Sequence, residues 1–113
     1  MTRIEQLAEQ QLDAYNRADL DAFVACYHAE VLVLNGDEIS ANGIDEFRDR
    51  YRTLFNEWKF GASVPQRIAL HAHCIDFEEW WRIDPNTGER SEGQILVRYK
   101  ARDGLIGTVQ FLR

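Results

Sequence analysis

Tyr15-Asn16-Arg17-Ala18-Asp19-Leu20-Asp21-Ala22-Phe23-Val24-Ala25-Cys26-Tyr27 reads as the end of one helix, a tight turn and the start of another. Asp19 is a good N-cap, because its carboxylate can accept from the free amides of a first helical turn. Leu20, Phe23, Val24 and Tyr27 then recur at helical spacing, which predicts a second helix through about residue 27. A helix this short has no stability of its own, so its apolar stripe needs a neighbour. Upstream, Thr2 and Glu5 have capping-box spacing, and Ile4, Leu7, Ala8, Leu12 and Tyr15 share one broad face. The first helix is predicted over about 3–17.

Downstream, Val31-Leu32-Val33-Leu34 is β-prone and ends in Asn35-Gly36, a strong hairpin signal, after which Glu38-Ile39-Ser40-Ala41 can return antiparallel. Gly43 breaks the chain before Ile44, Phe47, Tyr51, Leu54 and Phe55, which predict a third helix to about residue 57. Its other face carries Asp45, Glu46, Arg48, Asp49, Arg50 and Arg52, a solvated charged surface with compensating pairs. Strands are predicted over about 64–71, 73–83, 91–102 and 105–112, with turns at Asp84-Pro85-Asn86-Thr87-Gly88 and Asp103-Gly104. Strands of that length must twist or bend to stay in one sheet. The expected fold is therefore α+β, in a single domain over 1–113. Three N-terminal helices pack on one side of a strongly curved antiparallel sheet, leaving an internal cavity.

A chain of 113 residues, 45% apolar and 28% charged, has the composition of one globular domain. Nineteen acidic against thirteen basic residues give a net charge of −6, which argues against nucleic acid or an anionic membrane as partner. No apolar run is long enough for a membrane span, and no signal peptide is expected. Cys26 and Cys74 are far apart with no secretory feature around them, so both are expected as reduced thiols in a cytoplasmic protein. The glycines sit singly, leaving no phosphate-cradling loop, and no cofactor is expected. His71 and His73 have a spacing that suits a strand-borne metal site, but such a site needs a third ligand, solvated histidines are the default reading, and no metal is expected.

The same Tyr15–Tyr27 stretch resembles the "YNxxDLDxFxxxY" helix-turn-helix of the nuclear transport factor 2-like superfamily, to which the SnoaL-like and ketosteroid isomerase-like proteins belong. Gly43 to Phe55 resembles its third helix, "G-x-x-x-[IF]-R-x-x-Y", and Tyr99-Lys100-Ala101-Arg102-Asp103-Gly104-Leu105-Ile106 resembles its "Y-x-x-x-D-G-L-I" strand connection. The likeness spans nearly the whole chain. It implies a cone, in which the helices close over the curved sheet and an apolar cavity opens at one end, a small apolar or aromatic ligand, and a homodimer formed through the outer face of the sheet.

In the ketosteroid isomerase-like members an Asp moves the proton, while a Tyr and a protonated Asp stabilise the enolate oxygen. The resemblance places Asn35, Gln11 and Val97 at those three positions, and Tyr51 at a supporting Tyr. An amide cannot serve as base at neutral pH, so steroid-type isomerisation is not expected unless Asp37 takes over.

Glu78-Glu79-Trp80-Trp81-Arg82 is the most unusual local composition. Strand alternation puts Cys74, Asp76, Glu78, Trp80 and Arg82 on one face, and Ile75, Phe77, Glu79 and Trp81 on the other. The second set is expected to face the cone, with Glu79 as a lone buried or rim carboxyl; inside, burial would raise its pKa and make it the best acid or base candidate. The first set, with Leu96, Arg98, Lys100 and Gln110, is expected on the outer face. The candidate ligand-binding residues are Gln11, Tyr15, Asn35, Tyr51, Phe77, Trp81, Val97 and Tyr99, and the candidate catalytic residues are Glu79 and Asp37. Three readings stand: a small-molecule binder, an isomerase, lyase or hydrolase using Glu79 or Asp37, and a protein-interaction module built on the sheet face.

Overall fold

The computed structural model describes all 113 residues. In chain order the elements are α1 (Arg3–Asn16), α2 (Leu20–Val24), β1 (Tyr27–Asn35), β2 (Glu38–Asn42), α3 (Ile44–Glu57), β3 (Lys59–Leu70), β4 (His73–Ile83), β5 (Arg90–Arg102) and β6 (Leu105–Leu112). The Thr2–Glu5 capping box is complete, and the Asp19 side chain accepts from the Ala22 amide at 3.0 Å. Local chemistry thus starts both N-terminal helices where the sequence predicts.

The second helix ends at Val24, short of its predicted end, and Tyr27 already belongs to β1. Pairing with a remote strand overrides the helical spacing here: Tyr27 lies opposite Ile106, whose amide donates to the Cys26 carbonyl at 2.9 Å. The six strands run in the order β2-β1-β6-β5-β4-β3. Every pairing is antiparallel except β1 with β6, so the sheet is mixed where a purely antiparallel one was expected. After β2 the chain crosses through α3 to the far edge and meanders back, which brings β6 alongside β1 in the same direction. β3 begins at Lys59, earlier than predicted, and Pro65 falls at a register shift between Ser63 and Gln66. On an edge strand at a bulge, its missing N–H breaks no ladder.

The helices pack on one face of the curved sheet. Ile4, Leu7, Ala8, Phe23, Val31, Val33, Phe47 and Ile106 are all fully buried between the layers. Phe23 is the hub of this core, with the rings of Tyr15, Tyr27, Phe47, Tyr51 and Phe55 at centroid distances from 5.0 to 5.8 Å. Tyr15 and Tyr51 of this cluster also border the open space beside it.

The face assignment of β4 is the main correction to the sequence reading. Cys74 and Asp76 are buried under the helices, and Glu78, Trp80 and Arg82 continue along the same inner face. Cys74 pairs with Tyr99 and Asp76 with Val97, both buried, so the register fixes the parity. Ile75, Phe77, Glu79 and Trp81 therefore point outward. The misreading has a physical source: the outer face is itself apolar, with Ile68, Leu70 and Leu96 respectively 69%, 68% and 46% exposed.

Candidate functional site

The inner face of β4 runs from a fixed ion pair at the closed end to an open chamber. Asp76 is 1% exposed, and its two carboxylate oxygens accept from Arg67 Nε at 2.6 Å and Nη2 at 2.9 Å. Arg67 also donates to Glu9 on α1, which ties that helix to the sheet. Cys74 Sγ donates to Asp76 Oδ1 at 3.3 Å. Burial, and then the Asp76 charge, push the Cys74 thiol up to about 12, so it is no nucleophile. This cluster is structural, because each of its charges already has a partner.

One turn of alternation further along, Glu78 faces a different environment. It lines a chamber of about 380 Å³ with Tyr15 of α1, Arg50, Tyr51 and Leu54 of α3, Trp80 and Arg82 of β4, Ile95 of β5, Phe111 of β6, and Arg113. A smaller recess of about 50 Å³ lies deeper, among Gln11, Phe23, Tyr27, Tyr99 and Val109, and shares Tyr15, Tyr51, Glu78, Arg82 and Phe111 with the chamber. Burial raises Glu78 to about 7; the Asp76 charge adds to the shift and Arg82 opposes it. Such a carboxyl can either donate or accept a proton near neutrality.

The phenols around it stay protonated. Burial raises Tyr15 to about 12 against the pull of Arg82, and also pushes up Tyr27, Tyr51 and Tyr99. Tyr27 donates to Gln11 Oε1 at 3.0 Å, and Gln11 Nε2 donates to the Ala8 carbonyl at 3.1 Å, so this amide acts as a brace for the tyrosine. Arg82 lies over the Trp80 ring at 5.4 Å, and its Nε is buried without a hydrogen-bond partner. Arg50 bonds Ser40 Oγ and lies 5.4 Å from the Phe111 ring centroid.

Of the residues expected at the site, Gln11, Tyr15, Tyr51 and Tyr99 do come together around these two spaces. Val97 is on the inner face but lies packed in the core opposite Asp76. Asn35 is exposed at the end of β1, and Asp37 is exposed in the hairpin turn, lining neither space. Phe77 sits on the outer face opposite Leu96. Glu79 is exposed outside and accepts from Gln94 Nε2 at 3.1 Å, and Trp81 lies outside beneath Arg90 at 4.8 Å. Glu79 and Trp81 do border an open groove of about 580 Å³ near the β4–β5 turn, but β3, β4 and β5 alone wall it and no helix covers it. Glu79 thus stays in solvent on the outer face, and Glu78, half-buried, is the carboxyl that faces the chamber.

Glu78, Trp80, Arg82, Arg50 and Phe111 were missed. One signal could have found the β4 residues. With Val97 and Tyr99 among the candidate ligand-binding residues, pairing of odd-numbered β5 with even-numbered β4 residues puts Glu78, Trp80 and Arg82 on the same face. No three His, Cys, Asp or Glu side chains gather in a metal-binding arrangement.

Comparison with known proteins agrees with this architecture. The SnoaL-like domain family matches residues 8–108. An uncharacterised cystatin-fold protein from Novosphingobium aromaticivorans superposes with a TM-score of 0.87 at 19% identity, covering 100% of this chain and 99% of that one. The Δ5-3-ketosteroid isomerase of a Mycobacterium species gives 0.89 at 12% identity, covering 100% and 94%. A Mycobacterium tuberculosis protein in complex with estradiol-17beta-hemisuccinate gives 0.88 at 10% identity, covering 98% and 93%. At these identities the likeness establishes the fold alone. No curated protein matches the chain. With the family match covering nearly its whole length and helices roofing a curved mixed sheet, the chain belongs to the SnoaL-like family of the nuclear transport factor 2-like superfamily.

Proposed function

We propose that this SnoaL-like protein binds one compact, ring-bearing small molecule in the chamber between α1, α3 and the inner face of β4. The carrying observation is the chamber itself: about 380 Å³, walled by the rings of Tyr15, Tyr51, Trp80 and Phe111, with a few polar groups converging on it. That volume is near the lower end of the range usual for small-molecule pockets, roughly 300 to 1,000 Å³. Support also comes from neighbours of the same fold, one an isomerase acting on steroids and one holding a steroid ester. A thermal-shift screen with steroids, polyketides and small aromatic acids tests the reading, since a ligand that prefers the folded state must raise its midpoint. A midpoint unmoved by all three classes contradicts it.

A second reading is favoured by one observation, the Glu78 carboxyl held at about 7 inside the chamber. In an isomerase- or lyase-type reaction Glu78 would take up and return the proton, with the neutral Tyr15 and Tyr51 hydroxyls as donors to developing negative charge. Glu79 and Asp37 lose this role because both are exposed outside the chamber. Glu78→Gln should abolish turnover while leaving ligand affinity within a few-fold; turnover that survives the change removes this reading.

The protein is further proposed to form a homodimer through its outer sheet face, where Ile68, Leu70, Leu96 and Leu112 are exposed, and to act in the cytoplasm. No helix is long and apolar enough to cross a membrane.

A further inference from the structure

We infer that the chamber selects an organic anion, a ring-bearing carboxylate whose ring lies among Trp80 and Phe111 and whose carboxylate is held by Arg82, with Arg50 and Arg113 adding positive charge. This rests on the binding reading above and names its ligand class.

The first ground is the distribution of charge. In a chain of net charge −6, most arginines have an acidic partner within reach: Arg17, Arg48, Arg52, Arg67, Arg90 and Arg102 are all in ion pairs. Arg3, Arg50, Arg82, Arg98 and Arg113 are in none, and three of these five, Arg50, Arg82 and Arg113, line the same chamber. The sole carboxyl side chain among the lining residues is Glu78. An acidic protein that gathers three unpaired guanidinium groups into one partly enclosed space has concentrated positive potential there, and low-dielectric walls strengthen that potential.

The second ground is the orphaned donor. Arg82 Nε is buried without an acceptor, a state that native structures rarely leave unanswered. The guanidinium fork matches a carboxylate in a bidentate arrangement that no neutral ligand reproduces. Trp80, over which Arg82 stacks, and Phe111, near Arg50, supply flat apolar walls beside the cations. Ring and anion are therefore recognised side by side.

Glu78 modulates this preference. The groups around it are Gln11 and Tyr15 from α1, Tyr27 from β1, Arg50 and Tyr51 from α3, Asp76 and Arg82 from β4, Tyr99 from β5, and Arg113 beyond β6. Asp76 is ion-paired with Arg67, and its charge still acts on Glu78. Burial holds Glu78 largely protonated below about 7, where it does not cancel Arg82; above that it ionises and competes with the ligand anion. Anion affinity should accordingly fall as pH rises through neutrality.

Calorimetric titration of the whole chain with naphthoate and its neutral isostere naphthamide tests the inference. For the wild type at about pH 6, naphthoate should bind about tenfold or more tighter than the amide. Arg82→Gln should bring the ratio of naphthoate to naphthamide affinity close to one, and Arg82→Lys should restore part of it. Glu78→Gln should flatten the pH dependence of naphthoate binding. Should Arg82→Gln fail to fold, the wild-type ratio and the Arg50→Met variant, expected to reduce the preference, still decide. Equal affinity for the two compounds overturns the anion inference and leaves the binding reading intact. Binding of neither overturns the anion inference, and with a silent thermal-shift screen it removes the binding reading as well.

Discussion

Trp80 and Gly93 stand opposite each other across the β4–β5 ladder, and a Cβ on the glycine would come within 2.5 Å of the indole Cζ2. The ring thus rests on bare backbone, and the glycine sets where this wall of the chamber stands. Trp81 and Gly61 repeat the arrangement on the outer face, where the added Cβ would lie 2.7 Å from the indole Nε1. Either glycine replaced by alanine should lower stability by about 1 to 3 kcal/mol through overpacking, measured by urea denaturation. Gly93→Ala should also weaken ligand binding, and Gly61→Ala should not. Equal effects on binding would place the site elsewhere.

The Arg67–Asp76 pair should be far more costly to break than a surface pair. Asp76 is 1% exposed, and Asp76→Ala leaves Arg67 with only Glu9. The expected loss is about 3 to 5 kcal/mol, because the remaining charge is stranded in a poorly solvated site. The double variant Arg67→Met with Asp76→Leu should recover much of it. A single-variant loss below about 1 kcal/mol in equilibrium unfolding would show that the pair is solvated in solution.

Glu78 ties stability to pH. Its ordinary value is 4.5 and its value in the fold is about 7, so between these the native chain holds a proton that the unfolded chain has lost. Stability should therefore fall as pH rises from about 4.5 to about 7 and stay lower above that; below 4.5 both states are protonated and Glu78 contributes nothing. Glu78→Gln should match the wild type near pH 4 and exceed it by about 2 to 3 kcal/mol near pH 8, read from denaturation midpoints across that range. A constant difference between the two proteins would mean that Glu78 titrates as an ordinary carboxyl.

The outer sheet face predicts a dimer whose interface contains Leu96, Ile68 and Leu70. Leu96→Glu, on a residue 46% exposed in the single chain, should shift sedimentation from dimer to monomer at micromolar concentration without loss of helical signal. A wild type that sediments as a monomer would contradict the assignment.

What the sequence discloses and what it hides divide along local and remote chemistry. The Thr2–Glu5 and Asp19 caps, the Gly43 break and the Asn35-Gly36 turn each act within a few residues, so the helices and hairpins could be read directly. The parallel β1–β6 pairing and the early start of β3 depend on partners far along the chain. Gln11 and Tyr51 enter as candidates through the family resemblance and Tyr15 through the plain apolar face of its helix; all three border the two spaces. The β4 face was not readable, since Asp76 is tolerated inside only through Arg67, nine positions earlier on another strand, and Glu9 on a helix. Apolar alternation then pointed to Phe77 and Trp81, which instead cover an outward face.

The three tryptophans allow a direct test of which face of β4 holds the ligand. The indole N–H resonances should be followed during titration with whichever steroid, polyketide or aromatic acid raises the unfolding midpoint most. With the ligand in the chamber, the Trp80 signal shifts and saturates with occupancy while the Trp81 signal stays in place. A shift confined to Trp81, with Trp80 unmoved, would contradict the inner-face site.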